Sequence, residues 1–346
     1  MQNIKDADFI FIIPHWSQDG VISNQVLDET LQGLFSQTDN KWKAVIIDDN
    51  SPDIEAKEYL KKLENQYPGK INVIFNEINS GPGISRNVGI KWAYDNNYPV
   101  VLYNDADDIS NKNRVKRVRN IFLNENEVSV VYSGFEVIDE NSKIVKRENL
   151  TPSIIETLVA LDDNPPQGYD TWIEMGISVG YINLTSSTAV KTKVAYKYPF
   201  AGCLASEDQH AWFRYSADGG KYIYVNDIPS LYRIPNNTGS ASRKRVTNFY
   251  EIKAKADIEG FMEAINIALL NSRSNKFDIN YLLYKFYVKL ADTLYKEHEF
   301  TLATDQIIKA SKINYDDTKA LCKKYKMQSL WDNVLEDTRV QKLENR

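Results

Sequence analysis

Through its first hundred residues the chain alternates apolar runs with helix-periodic polar stretches. "DFIFIIP", Asp8 to Pro14, is almost wholly apolar and β-branched or aromatic, the pattern of a strand buried on both faces, and Pro14 is expected to stop it. After a polar turn, Val26, Leu27, Thr30, Leu31, Leu34 and Phe35 recur at steps of three and four, which predicts an amphipathic helix. "KWKAVIIDDNSPD" repeats the opening unit, with an apolar run from Ala44 to Ile47 that ends in acids and turn formers. A helix over Ile54 to Asn65, a short strand Asn72 to Phe75, a helix from about Gly83 to Asn96 and a strand Val100 to Tyr103 continue the alternation. This order predicts an α/β fold with a mostly parallel sheet flanked by helices, whose ligands bind at the carboxyl ends of the strands. The polar strand ends "PHWSQD", "DDNSPD" and "NDADD" should then converge on one crevice.

Beyond Val128 the pattern changes. "VSVVYSGFEVID" and "SKIVKREN", separated by the turn former "DENS", read as a hairpin, and residues 150 to 180 carry Pro, Gly and Asn without a sustained period, as a loop-rich segment would. "SEDQHAWFRYSADGG" predicts a helix from near Ser206, with that serine as N-cap, two acids in the first turn and a glycine stop. After "YRIPNNTGSASRKR", read as a flexible basic loop, residues 247 to 345 are helical in pattern. Tyr281, Leu282, Tyr284, Lys285 and Phe286, then Leu302, Ile307, Ile308 and Ala310, predict three or four packed helices. Two units follow, 1–246 and an all-helical extension 247–346, the latter for packing on the first unit, homodimerisation, acceptor binding or contact with a membrane surface.

Charge and cysteines narrow the partners. With 42 basic against 47 acidic residues, the chain lacks the concentrated basic footprint of a duplex-binding surface, so no nucleic acid is expected despite the local "SRKR" at Ser242 to Arg245. The N-terminus has no basic, apolar and small-residue signal pattern, and no run of 18 apolar residues occurs, so a cytoplasmic protein is expected, at most peripheral to the inner face of the membrane. Cys203 and Cys322 are too far apart for a CxxC-type metal site and read as two reduced thiols.

The chemistry concentrates in "DADD". Asp105, Asp107 and Asp108 offer oxygen ligands only, without His or Cys spacing, which suits Mg²⁺ or Mn²⁺ better than zinc. Such an ion is completed by water and substrate phosphates, so the acids imply a diphosphate partner. A solvated surface turn would explain the tetrapeptide alone. Its place after an apolar strand, in one alternating series with "IIDDNSPD" and ahead of Glu207 and Asp208, favours the cation. Glu207 and Asp208 would also stabilise a helix first turn without any chemistry. Arg86 would serve as an ordinary surface ion pair, and His210 either completes a metal site or is a structural histidine. Trp212 and Phe213 are most simply core.

Taken in order over about residues 8 to 240, these segments resemble the inverting nucleotide-sugar glycosyltransferases of family 2, with the GT-A fold. "FIIPHWS" is similar to the family's opening strand and turn, "LFSQT" to its first-helix ending and "VIIDDNSPD" to its Val-Asp-Asp-Gly-Ser-x-Asp. "NSGPGISRNVGI" resembles the glycine-rich segment ending in Ala-Arg-Asn, "YNDADD" the Asp-x-Asp, "SEDQHAWFR" the Glu-Asp base motif and "YRIPNNTGSAS" the late Tyr-Arg loop. The resemblance implies that Pro14, His15 and Trp16 line the nucleotide base, that Asp49 accepts from the uracil N3 proton and that Arg86 lies near base and phosphates. It implies further that Asp105 meets the ribose, that Asp107 ligates the metal with help from Asp108, and that Asp208 is the catalytic base, with Glu207 as its neighbour in register. Arg233 and "SRKR" either clamp the diphosphate in a loop that closes over the donor or are simply solvated charge. His15 and Trp16 depart from the family's aromatic and asparagine, Pro235 begins a "PNN" where a histidine is expected, and no Gln-x-x-Arg-Trp processivity motif is present. These departures leave the donor open and imply addition of one sugar at a time.

The resulting expectation is a metal-dependent, inverting transfer of a single sugar from a UDP-sugar donor to a hydroxyl acceptor, a surface-polysaccharide or lipid-linked glycan precursor. The alternatives are a protein or peptide acceptor, or a noncatalytic nucleotide- or carbohydrate-binding module on the same fold. A nucleotidyltransferase is disfavoured because its glycine- and lysine-rich N-terminal phosphate loop is missing.

Overall fold

Burial on both faces gives the first strands their unbroken apolar runs. In a computed structural model of the chain, which describes residues 3–18, 23–234, 246–273 and 277–336, β1 (Phe9–His15) turns Phe9, Phe11 and Ile13 into one core cluster and Ile10 and Ile12 into another. It pairs in parallel with β2 (Trp42–Asp48) and β4 (Val100–Tyr103), and β2 pairs in parallel with β3 (Ile71–Phe75). β5 (Val128–Ile138), β6 (Thr188–Lys191) and β7 (Lys221–Arg233) complete a sheet of order β3-β2-β1-β4-β6-β5-β7. β6 runs antiparallel to both its neighbours, and β5 is parallel to β7. The fold is α/β with a mostly parallel sheet flanked by helices, as the alternation predicted.

Helices α1 (Asn24–Phe35), α2 (Ile54–Gln66), α3 (Pro82–Asp95) and α4 (Arg114–Asn124) follow the first four strands. The Ser23 and Asp53 side chains accept from the backbone N–H groups of Val26 and Ala56, capping α1 and α2. Pro14 does not stop β1, which continues to His15. β4 is in register with β1 only over Ile10–Ile12, so beyond it the missing proline N–H faces no strand.

Two expectations for the middle of the chain fail. The predicted hairpin is reduced to a turn: Ile144 makes only an isolated bridge to Ile138, and β5 spends its edges on β6 and β7 instead. The supposed loop of 150–180 contains α5 (Pro152–Asp163), the single turn α6 (Thr171–Glu174) and a π-helical turn Met175–Val179. Proline at the first helical position of α5 is compatible with a helix start, so it was no breaker. α7 (Thr192–Lys197) and α8 (Glu207–Ala217) follow.

Beyond 246, α9 (Phe249–Ala268), α10 (Ile279–Lys296), α11 (Phe300–Ile313), α12 (Tyr315–Lys324) and α13 (Gln328–Glu336) make five α-helices among the described residues, more than the three or four expected, with a π-helical turn Leu269–Arg273 after α9. None of the described helices is long and apolar enough to cross a membrane. The extension packs on the sheet domain, and one buried cluster runs from Ile10 and Trp212 through Phe261 and Phe286 to Trp331. Trp172 and Phe213 meet the Phe261 ring at 5.4 and 5.5 Å, and Phe261 stacks on Phe286 at 4.2 Å.

Gly176 makes that contact fit, because a Cβ there would lie 2.1 Å from Phe261 Cε2. Gly176→Ala therefore forces the stacked rings apart. It is expected to cost about 1–3 kcal/mol, read as a lowered melting temperature in calorimetry.

Candidate active site

At the carboxyl end of β4 the chain turns sharply. The Asn104 side chain donates to the carbonyls of Asp105 and Asp108 at 2.9 and 3.0 Å, and the buried Arg114 donates to the carbonyls of Tyr103 and Thr188, both at 3.0 Å. Within this turn the three acids separate in role. Asp108 is fully buried, takes a hydrogen bond from Ser186 Oγ and accepts from the Arg233 backbone N–H at 2.9 Å. Burial, then the neighbouring Asp107 and Asp105, push its carboxyl well above the usual range. Asp105 and Asp107 are half-buried at the mouth.

Arg86, buried in α3, joins this mouth to the start of α8. Its Nη2 donates to Asp105 Oδ1 at 2.7 Å and its Nη1 to Glu207 Oε1 at 2.9 Å, closing a separation of 121 residues between Arg86 and Glu207. Burial of the guanidinium is outweighed by Asp105 and Glu207, which hold it charged. Glu207 is pushed up to about 7 by burial and by Asp208, against the pull of Arg86. Asp208 accepts from the Tyr181 hydroxyl at 2.5 Å and from the Gln209 N–H at 2.7 Å, and burial raises its carboxyl above the ordinary range. The Tyr232 phenol is raised first by burial and then by the negative charge of Asp108, Asp107, Asp105 and Asp208, in that order.

The nucleotide-side candidates lie at the ends of β1 and β2. Pro14 and Trp16 are half-buried, while His15 is buried with Nδ1 3.2 Å from Asp48 Oδ1. Burial would raise the Asp48 carboxyl, but His15 and the Ser51 hydroxyl and N–H together bring it below the usual range. Asp49, also buried, accepts from the N–H groups of Ser80 (3.1 Å) and Gly81 (2.7 Å) and from Asn76 Nδ2 (3.0 Å). It thereby holds the loop that leads into α3, where Gly81 adopts φ 86° and Pro82 opens the helix that carries Arg86.

Three candidates sit differently from the sequence reading. Arg233 does not reach out toward a diphosphate: its guanidinium donates to the Asp107 and Asp139 carbonyls, to Ser142 Oγ and to Glu29 Oε2 at 2.8–3.1 Å, tying the acidic turn to α1. His210 is turned away from the acids. Its Nε2 lies 3.9 Å from Glu263 of α9, its ring is pressed against Gly260, and burial and Arg214 push it down to about 4, so it stays neutral between two helices. The physical reason is helical: two residues past Asp208 is about 200° around α8. Ser206 occupies the N-cap position, but with φ 61° and no side-chain cap; its hydroxyl donates instead to Asp257 Oδ1 of α9 at 2.5 Å. Pro235 and "SRKR" lie outside the described residues.

Sequence reasoning missed Tyr181, Ser186 and Tyr232 at the site and Lys253 and Asp257 behind it. Their contacts span long separations, and no local period marks them.

A profile described as "Glycosyl transferase family 2" matches residues 11–180, the part of the chain that holds β1 to the π-helical turn. Residues 11–180 belong to glycosyltransferase family 2, and the chain is a glycosyltransferase. Family relatives include the uncharacterized glycosyltransferase MJ1057 of Methanocaldococcus jannaschii, 26% identical over 66% of this chain and 73% of that one. Another is UDP-Glc:alpha-D-GlcNAc-diphosphoundecaprenol beta-1,3-glucosyltransferase WfgD of Escherichia coli, 21% identical over 77% of this chain and 94% of its own length. Among solved structures, residues 1–349 of S. aureus TarS in complex with UDP-GlcNAc share the fold, with a TM-score of 0.53, 17% identity and coverage of 93% and 92% of the two chains. This chain spans 50% of the longer TarS chain.

Proposed function

We propose that this family 2 enzyme transfers a single sugar from a UDP-sugar to a hydroxyl of a lipid-linked glycan precursor, with inversion at the anomeric carbon and with the help of a divalent cation. The observation that carries the reading is the Arg86 bridge, which brings an acid of the β4 turn and the acidic first turn of α8 around one buried guanidinium. A donor-side acid and an acceptor-side base must be this near for a direct displacement. A relative named for UDP-Glc and a diphosphoundecaprenol acceptor supports the donor and acceptor classes, and a structural neighbour crystallised with UDP-GlcNAc supports the nucleotide.

The donor set fits a hard cation. Among the described residues no three His, Cys, Asp or Glu side chains form a preformed cage, but Mn²⁺ or Mg²⁺ is commonly held by only one or two carboxylates plus substrate phosphates. Burial first, and then Asp107 and Asp105, raise the Asp108 carboxyl, so three carboxyls crowd one turn with oxygen ligands only. Asp107, with Asp105, would hold the ion, and Asp108 would stay inward to fix their turn. Such a cation, when bound, supplies neutralisation of the charge that develops on the departing diphosphate.

The chain's own groups do the rest. Glu207 is committed to Arg86 and orients it between the two acid clusters. That leaves Asp208 to take the proton of the attacking hydroxyl, and its raised proton affinity suits a base working near neutral pH. Pro14, His15, Trp16 and Asp49 shape the nucleoside end. The test is a panel of nucleotide sugars incubated with Mn²⁺ and water as acceptor: metal-dependent release of UDP from one UDP-sugar is the expected result. A binding module on this fold would retain the nucleotide and release none.

A further inference from the structure

Asp208 is held from two directions that the family motifs do not name. Tyr181 stands just past Gly180, whose φ of 82° and N–H bond to the Met175 carbonyl at 3.1 Å end the π-helical turn and aim the next side chain inward. The phenol O–H donates to Asp208 Oδ2 at 2.5 Å. Burial and then Asp208 itself keep this phenol protonated far above the usual tyrosine range, so it is a permanent donor. The C-terminal helices in turn fix the segment: Phe261 of α9 packs against Gly176, and Lys289 of α10 lies against Gly180, itself anchored to Glu156 of α5 at 2.6 Å. On the other flank, Ser206 is bound by Asp257, which is paired with Lys253 at 2.6 Å, one turn apart on α9.

We propose that Tyr181 is a positioning residue for the transfer reaction, its hydroxyl holding the Asp208 carboxylate in the orientation that meets the acceptor, and that the C-terminal helices serve to keep it there. The inference rests on the proposed function, since it takes Asp208 as the base. A hydrogen bond donated to a carboxylate favours its ionised form, so Tyr181 opposes the burial that would protonate the base. The groups facing Asp208 are Tyr181, Glu207, Arg86, Tyr232 and Cys203 of the sheet domain and Lys253 of α9. Of these Tyr181 is its only side-chain hydrogen-bond donor among the described residues.

The test uses the full chain, Mn²⁺ and the UDP-sugar that the wild type hydrolyses fastest, with rates followed against pH. Tyr181→Phe should lower kcat roughly 10- to 100-fold with the donor KM little changed, and move the acid limb of the profile upward by about one unit. A 3-fluorotyrosine placed at 181 by suppression keeps the ring, strengthens the donor and should move the limb downward; it carries the test if the Phe variant does not fold. Unchanged rate and limb in a folded variant overturn the inference. If the wild type releases no UDP, or Asp208→Asn keeps wild-type activity, the underlying reading itself falls, whatever Tyr181 does.

Discussion

Replacing Asp208 with Asn is expected to lower kcat for sugar transfer by roughly 1000-fold, the middle of the range for losing a general base. The change keeps the side chain's size, and the amide oxygen can still accept from Tyr181 while the amide NH2 takes the place of the oxygen that meets the Gln209 N–H, so the fold should persist. Donor KM should stay near the wild-type value if Asp208, as proposed, works on the acceptor side of Arg86. Steady-state kinetics with the UDP-sugar found by the panel would show this as a fall in kcat alone. A matching loss in the Glu207→Gln variant would have another origin, since Glu207 orients Arg86 and its replacement disturbs the donor side too.

Asp107→Ala is expected to do the opposite damage. With the half-buried carboxylate gone, titration with Mn²⁺ should no longer restore UDP release at concentrations that saturate the wild type, and turnover at fixed metal should fall roughly 100- to 1000-fold, the scale for losing one element that stabilises developing charge. Thermal stability should hardly change, because the turn is fixed by Asn104, Ser186 and the Arg233 N–H on Asp108, all untouched. A collapse in stability with retained metal response would assign Asp107 to the fold.

What was legible in the sequence follows from where burial writes a periodic pattern. β1 to β4 are parallel and covered on both faces, so each shows as an apolar run, and the helices between them carry the complementary stripe. β6 has only four residues, and β7 mixes Asn226, Asp227 and Pro229 into its run, so neither advertised itself as the partner of β5, and a local hairpin looked sufficient. The acids of the site were legible because each sits at the end of a recognisable element. Their supports were not. Ser186 reaches Asp108 across 78 residues, Asp257 reaches Ser206 across 51, and Tyr181 reaches Asp208 from a turn with no period. His210 misled for the converse reason, since proximity in sequence put it beside Asp208 while the helix turned it toward Gly260.

The C-terminal helices change most when the structure is considered with the site. Their sequence left packing on the first unit, dimerisation, acceptor binding and membrane contact open, and in the structure Phe261 and Phe286 share a core with Trp172 and Phe213 while Asp257 binds the residue that opens α8. Removing these helices would therefore disturb the start of α8 and the turn that carries Tyr181.

The measurement that bears most directly on the whole account is the configuration of the sugar first released when water replaces the acceptor, followed by proton NMR before mutarotation. Direct displacement assisted by Asp208 predicts that an α-linked UDP-sugar yields the β-anomer first. Initial appearance of the α-anomer would mean a different course at the anomeric carbon, and the roles assigned to Asp208 and to the Arg86 bridge could not stand.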